Sequence, residues 1–332
     1  YKQPISDSQA FYGAIKGVVA SMHDPYTVFF DPSEAKDFNK ELEGKFEGIG
    51  AEIGIKRDRL TVIAPLPESP AEKAGLRPGD IIFAIDSQDA SNISTEEAVA
   101  RIRGPKGTKV VLTILSAGAS DAREVAVTRG EIIIKTVTVK KVGINKDIVY
   151  IRIFSFNEDT SRDFKKAVQT ILANRPKALI LDLRSNPGGF LDSAVDTASY
   201  CIREGAIVRE RFSDQSEDTY SSLGFGKFKD IKTIVLVNQG SASASEIVAG
   251  ALQDGKKATI LGEQTFGKGS VQDYSALKDG SALKITIAEW FTPNGRSINS
   301  EGITPDVVIP FSHDDFNKDI DPQLDKAIEL LE

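Results

Sequence analysis

From about Glu131 onward the chain repeats one pattern, a short apolar run suited to a buried strand followed by an amphipathic stretch at helical spacing. Val149 to Phe154 reads as a strand, and Phe164, Val168 and Ile171 mark the next helix. Ala178 to Leu183 reads as a buried strand, followed by a helix through Leu191, Val195, Ala198 and Ile202. Thr233 to Val237 and Ala258 to Leu261 are further apolar strands, with Ile247, Val248, Ala251 and Leu252 as the helical face between them. Leu324, Ala327, Ile328 and Leu331 suggest a closing helix. Such alternation restricts the fold to a parallel or mixed sheet covered by helices, because parallel neighbours need a crossover long enough to hold a helix.

Upstream the texture differs. Phe11, Ile15, Val18 and Met22 have the period of an amphipathic helix, which Asp24-Pro25 stops, and Pro32-Ser33 precedes a second short helix to about residue 42. From Gly44, the runs Ile49–Ile55, Leu60–Ala64, Asp80–Ile85 and Lys109–Ile114 read as short strands. A helical piece from Pro70 to Ala74 ends at Gly75. Another starts at Ser94, which has capping-box spacing to Glu97, and stops at Gly104-Pro105. The chain is therefore expected to be mixed α/β and multidomain: an N-terminal helical region over 1–43, a β-rich domain over 44–130, and an α/β core over 131–332.

Charge and composition exclude some classes. A net charge of −7 with no basic block argues against general nucleic-acid binding. No apolar run approaches the length of a membrane span. Tyr1 is not an initiator, so the chain reads as a fragment or mature form whose missing leader says nothing of compartment. The single cysteine, Cys201, excludes an intrachain disulfide and offers no metal cluster. It falls in the apolar stripe of a predicted helix and reads as a packed small hydrophobe.

The chemistry concentrates in three loops. In Asn238-Gln239-Gly240-Ser241-Ala242-Ser243-Ala244-Ser245-Glu246, serines stand where an apolar strand turns into a helix. Ser243 and Glu246 have capping-box spacing, so Ser243 can be an N-cap. The small neighbours Gly240, Ala242 and Ala244 also leave room for a carbonyl, and an N–H at a helix start can hold an oxyanion. Ser241 and Ser245 are alternative nucleophiles on this pattern. The only histidines, His23 and His313, lie in distant segments, so the natural base is Lys268, in Phe266-Gly267-Lys268-Gly269-Ser270-Val271-Gln272. Such a lysine must be neutral, hence buried. Phe266 and Val271 are expected as its apolar wall and Gln272 as its hydrogen-bond partner. Asp182-Leu183-Arg184-Ser185-Asn186-Pro187-Gly188-Gly189 follows a strand, and its glycine pair can aim N–H groups at an anion. No phosphate-loop or dinucleotide fingerprint is present. In the β-rich module, the loop Gly48-Ile49-Gly50-Ala51 can present N–H groups to a peptide carboxylate while the next strand edge accepts an extended peptide. Arg77 is a second candidate anion contact.

Taken in order, these segments resemble the C-terminal processing peptidases, tail-specific serine proteases of the S41 type. Asp24-Pro25-Tyr26-Thr27 and Gly302-Ile303-Thr304-Pro305-Asp306 extend the likeness over nearly the whole chain. The resemblance implies a PDZ domain in the β-rich module and a crotonase/ClpP-like ββα protease core. It puts the nucleophile on Ser243, the base on Lys268, the supporting residue on Gln272, and the oxyanion hole on the N–H groups of Gly189 and Ala244. It gives peptide binding to Gly48, Ile49, Gly50, Ala51 and Arg77, with Arg77 coupling binding to activity in some members. It implies no cofactor and no metal, substrates with unstructured C-terminal tails, and an extracytoplasmic location such as a bacterial periplasm or cell envelope rather than a thylakoid lumen. Members often dimerise through the terminal helices, and a regulatory protein is a further partner the resemblance allows. Two other readings compete: a PDZ scaffold on an inactive core, and a crotonase-like acyl-CoA enzyme.

Overall fold

The computed structural model describes residues 6–332 apart from 25, 43–44, 57–58, 67, 78, 92, 94, 117–118, 134–135, 174, 313 and 316–317. The expectations for Pro25, Ser94 and His313 lie outside the described residues. The chain forms two compact units. One comprises 1–44, 135–311 and 321–332, and the other 45–134 with 312–320.

The larger unit is built on a six-stranded sheet in the order Val137–Val142, Ile148–Ile153, Ala178–Asp182, Lys232–Val237, Thr259–Gly262, Val307–Val308. The first pair is antiparallel and the other pairs are parallel. Strand alternation splits its side chains cleanly. Val149, Ile151, Leu179, Leu181, Val235 and Val237 pack with Phe164, Val168, Ala194, Ala198, Val248 and Leu252 of the helices Thr160–Ala173, Leu191–Ser199 and Ala244–Asp254. Ile148, Tyr150, Ile180, Ile234 and Leu236 point the other way, into a second cluster with Ala327 and Leu331 of the closing helix Pro322–Leu331. Both faces are covered, which is why these strands read as continuous apolar runs.

A second, antiparallel sheet had no clear signal in the sequence. It orders Val28–Phe30, Ala282–Phe291, Ala206–Phe212 and Glu217–Ser221, with Ser270–Ala276 also paired to Ala282–Phe291. The N-terminal helix runs Asp7–Ala20 from a Ser6 capping box. Its expected apolar stripe is largely exposed, at 61% for Phe11, 65% for Val18 and 56% for Met22, whereas Val19 is buried. Cys201 is buried as expected but is not helical, because the helix ends at Ser199 with Tyr200 as C-cap. Burial pushes its thiol pKa up to about 12.

The smaller unit holds a sheet in the order Ala51–Lys56, Arg59–Pro65, Ile81–Ile85, Lys109–Leu115, Arg123–Thr128. Its core includes Leu60, Val62, Ile82, Leu112 and Ala98, the last on the helix Thr95–Ile102. A two-stranded ribbon pairs Lys45–Gly48 with Gly130–Ile133.

Candidate active site and peptide-binding loop

Ser243 ends the loop after the strand Lys232–Val237 and stands at the N-cap of Ala244–Asp254. Its backbone has φ 52° and ψ −116°, a conformation that costs a non-glycine residue about 1–3 kcal/mol and persists only where the surroundings enforce it. Those surroundings are visible. The Ser243 N–H donates to Glu246 Oε2 at 2.8 Å, and the Glu246 N–H donates to the Ser243 carbonyl at 2.8 Å.

The rival serines are committed elsewhere. Ser241 is fully buried; its hydroxyl donates to the Leu183 carbonyl at 2.8 Å and accepts from Asn238 N–H at 3.0 Å. Ser245, equally buried, donates to the Asn186 carbonyl at 2.9 Å. Those bonds stitch the serine loop to the loop after Ala178–Asp182, and Ala242 N–H adds a third to Asn186 O at 3.0 Å. Ser243 is half-buried.

The stitching brings the glycine pair against the serine. Gly188, at φ 96°, lies so close that a Cβ there would stand 2.6 Å from Ala242 O, 2.8 Å from Ser243 Cβ and 2.9 Å from Ala244 N. Asn186 fixes the turn by accepting the Gly188 N–H on Oδ1 (2.9 Å) while its Nδ2 donates to Ile153 O. Phe156 bonds the far side, donating to Gly188 O and accepting from Phe190 N–H. Among the described residues, the N–H groups of Gly189 and Ala244 meet no acceptor. Both belong to this cluster, and an anion beside Ser243 is the partner such donors suit.

Lys268 reaches the site through Glu246. The Lys268 N–H donates to Glu246 Oε2 at 2.9 Å, the same oxygen that holds Ser243 N–H. Gly269 permits the approach, since a Cβ there would lie 2.1 Å from Asn299 N. Burial lowers the Lys268 pKa, and the Glu246 carboxylate partly opposes that shift. The apolar wall differs from expectation. Phe266 is 57% exposed, because its N–H is drawn to Ser241 O and its ring turns outward, whereas the Tyr26 ring lies 5.5 Å from Lys268 Nζ. Val271 packs on the core as a partly buried side chain. Tyr26 carried no signal beyond its place beside Asp24, which accepts from Tyr26 N–H (3.0 Å) and the Thr27 hydroxyl (2.6 Å) and so shapes the turn.

Gln272 is half-buried beside a register shift between Val271 and Gln272 on the strand Ser270–Ala276. Its Nε2 donates to Ser270 Oγ at 2.7 Å, leaving Oε1 as an acceptor. No hydrogen bond joins the Ser243 hydroxyl, Lys268 Nζ and Gln272 directly. Among the described residues, no three His, Cys, Asp or Glu side chains gather as metal ligands, and no helix is long and apolar enough to cross a membrane.

In the smaller unit, Gly48 and the buried Ile49 and Gly50 lead into Ala51 at the head of an edge strand. Ile49 O accepts Ala71 N–H at 2.8 Å and Gly50 O accepts Leu66 N–H at 2.9 Å, whereas among the described residues the Ile49 and Gly50 N–H groups meet no acceptor. Arg77 is exposed, and its N–H donates to Asp80 Oδ2 at 2.9 Å.

Residues 147–309 match peptidase family S41, and residues 61–116 match a PDZ domain. The chain is 40% identical over 308 residues to a carboxy-terminal-processing protease of Bartonella bacilliformis, covering 91% of this chain and 70% of that one. It is 40% identical over 311 residues to a "Probable CtpA-like serine protease" of Staphylococcus aureus, covering 93% of this chain and 62% of the relative. Among solved structures, the photosystem II D1 C-terminal processing protease superposes with a TM-score of 0.64 at 31% identity, over 93% of this chain and 84% of that one.

Proposed function

The chain belongs to peptidase family S41 and is a serine-type hydrolase, and from that premise we propose that it is a carboxy-terminal processing endopeptidase working through Ser243 and Lys268. The observation that carries the assignment is the commitment of Ser241 and Ser245 to buried carbonyls, beside a Ser243 held in a strained turn next to two unpaired N–H groups.

In this reading, neutral Lys268 takes the Ser243 hydroxyl proton as Oγ attacks the scissile carbonyl. The Gly189 and Ala244 N–H groups hold the tetrahedral oxyanion. Lys268 then protonates the leaving amine, and water hydrolyses the acyl-enzyme. Gln272 Oε1 is the acceptor that orients the amine, with Ser270 holding the other end of its amide. Burial favours this chemistry by lowering the Lys268 pKa. No metal takes part.

The smaller unit recognises the substrate's C-terminal tail. The unpaired N–H groups of Ile49 and Gly50 suit a terminal carboxylate, and the free edge of Ala51–Lys56 suits an extended peptide added as a strand. Arg77 is a second anion contact and a candidate link between binding and activity. The likeness to C-terminal processing proteases supports an extracytoplasmic site of action, and homodimerisation and a regulatory protein remain part of this proposal.

The test is cleavage of an unfolded reporter with an apolar C-terminal tail by wild type, Ser243→Ala and Lys268→Ala. Both variants are expected to be inactive, and a chelator is expected to have no effect. Because only the neutral amine serves as base, kcat/KM is expected to fall as acid protonates Lys268. Cleavage surviving in Ser243→Ala refutes the assignment.

A further inference from the structure

Glu246 is fully buried, and four donors converge on it. Oε2 accepts Ser243 N–H at 2.8 Å and Lys268 N–H at 2.9 Å. Oε1 accepts the Thr265 hydroxyl and Gly267 N–H, both at 2.6 Å. The Thr265 oxygen in turn accepts Ile303 N–H at 2.6 Å, tying this node to the segment beyond the second sheet. A capping-box glutamate needs only the first of these bonds.

We propose that Glu246 is a positioning residue for the reaction: its buried carboxylate, held by both loops, sets the separation of the Ser243 turn from the Lys268 loop. The proposal rests on the serine–lysine assignment. The donor set requires a carboxylate, since an amide offers one accepting oxygen and presents its own N–H groups to the other donors. Burial holds the carboxyl pKa above its ordinary value, and the four donors limit that rise.

Among the described residues, the charged and titratable groups around Lys268 come from three elements. Glu246 faces it from the helix. The Tyr26 ring lies beneath the amine from the N-terminal segment. Lys284 on the strand Ala282–Phe291, set against the Phe30 and Phe38 rings, is depressed by burial and then by the charge of Lys268, with Asp24 opposing. Burial lowers the Lys268 pKa, and among the described residues the Glu246 carboxylate is the charge that opposes it. Losing its charge leaves burial unopposed, so Lys268 becomes neutral at a lower pH and the acid limb of kcat/KM moves to lower pH.

The experiment compares pH profiles of kcat and kcat/KM for wild type, Glu246→Gln and Glu246→Asp on the same unfolded reporter, with thermal unfolding of each. Glu246→Gln is expected to lower kcat on the order of 10–100-fold, as small misplacements of reacting groups do, and to move the acid limb down. Glu246→Asp, one methylene short but still charged, is expected to lower kcat while its acid limb stays above that of Glu246→Gln. An unshifted limb in folded Glu246→Gln overturns the proposal, as does a kcat within about threefold of wild type. If Glu246→Gln fails to fold, wild-type kcat in Glu246→Asp overturns it. Ser243→Ala and Lys268→Ala in the same series separate the two ideas: cleavage by either defeats the serine–lysine reading, whereas their inactivity beside an unaffected Glu246→Gln defeats only the role of Glu246.

Discussion

Gly188→Ala tests the fit between the glycine loop and the serine turn. A new Cβ would meet Ala242 O at 2.6 Å, Ser243 Cβ at 2.8 Å and Ala244 N at 2.9 Å, and no rotamer change relieves contacts made by backbone. Alanine at φ 96° costs about 1–3 kcal/mol in strain, and the forced overpacking about 1–3 kcal/mol more. Against a typical domain stability of about 5–15 kcal/mol, the fold survives. The cheapest relief is a shift of the loop, which displaces the adjacent Gly189 N–H, one of the two oxyanion donors of the proposed mechanism. Loss of one such donor costs about 10²–10³ in turnover. Gly205 is the matched control: its φ is 106°, and a Cβ there meets nothing within 4 Å, so Gly205→Ala carries the strain without the clash. Urea unfolding and kcat on the tailed reporter should show both variants destabilised, with kcat reduced about 100-fold only in Gly188→Ala. A folded Gly188→Ala within about threefold of wild-type kcat would refute the reasoning.

Two further outcomes follow from buried charge. Lys268 has a folded pKa below its ordinary 10.5, so the fold favours the neutral amine, and the protonated amine costs stability as pH falls. Lys268→Met is therefore expected to raise Tm at neutral pH while abolishing cleavage, with the stability gain shrinking towards alkaline pH; a lower Tm at neutral pH would contradict this. Arg184 spans fully buried Asp182, at 2.6 Å, and Asp321, the N-cap of Pro322–Leu331, at 2.8 Å, with only 12% of its own side chain exposed. Arg184→Leu strands the Asp182 charge and should cost about 3–5 kcal/mol in urea unfolding, with faster hydrogen exchange in the closing helix; a loss under about 1 kcal/mol would show that the ion pair does not anchor it.

The elements legible in the sequence are those whose apolar pattern has one dominant cause. The parallel strands are buried on both faces, and the helices between them show their stripes against one cluster, so Ala178, Val235 and Leu252 could be read directly. The antiparallel sheet was harder. Glu217–Ser221 is mostly exposed, and Ala282–Phe291 mixes buried, half-buried and exposed positions without strict alternation along its length, so neither period stands out. At the candidate site, the serine, the lysine and the glycine pair were visible because small residues cluster where backbones must touch. Glu246 was legible only as a cap, since its bonds to Thr265, Gly267 and Lys268 join segments about twenty residues apart. Tyr26 was missed for a similar reason: a ring beneath a lysine from a distant segment leaves no local trace, and the adjacent Phe266 was the more obvious apolar neighbour.

The ribbon in the smaller unit bears on how such a chain changes over evolutionary time. Lys45 pairs with Ile133 and Gly48 with Gly130, so the segment between them leaves and returns one strand-spacing apart. A segment that closes its own ends asks little loop-closure entropy of whatever chain carries it. It can behave as a cassette, exchanged for another module with adjoining termini without changing the register of the strands on either side in sequence. Residues 312–320 belong to the same compact unit, and among their described contacts Lys56 pairs with Asp319 at 2.6 Å, where Asp319 is 79% exposed; such a surface pair contributes only about 0–1 kcal/mol. If the smaller unit reads the substrate's tail as proposed, exchange of this one segment is a route by which that preference changes.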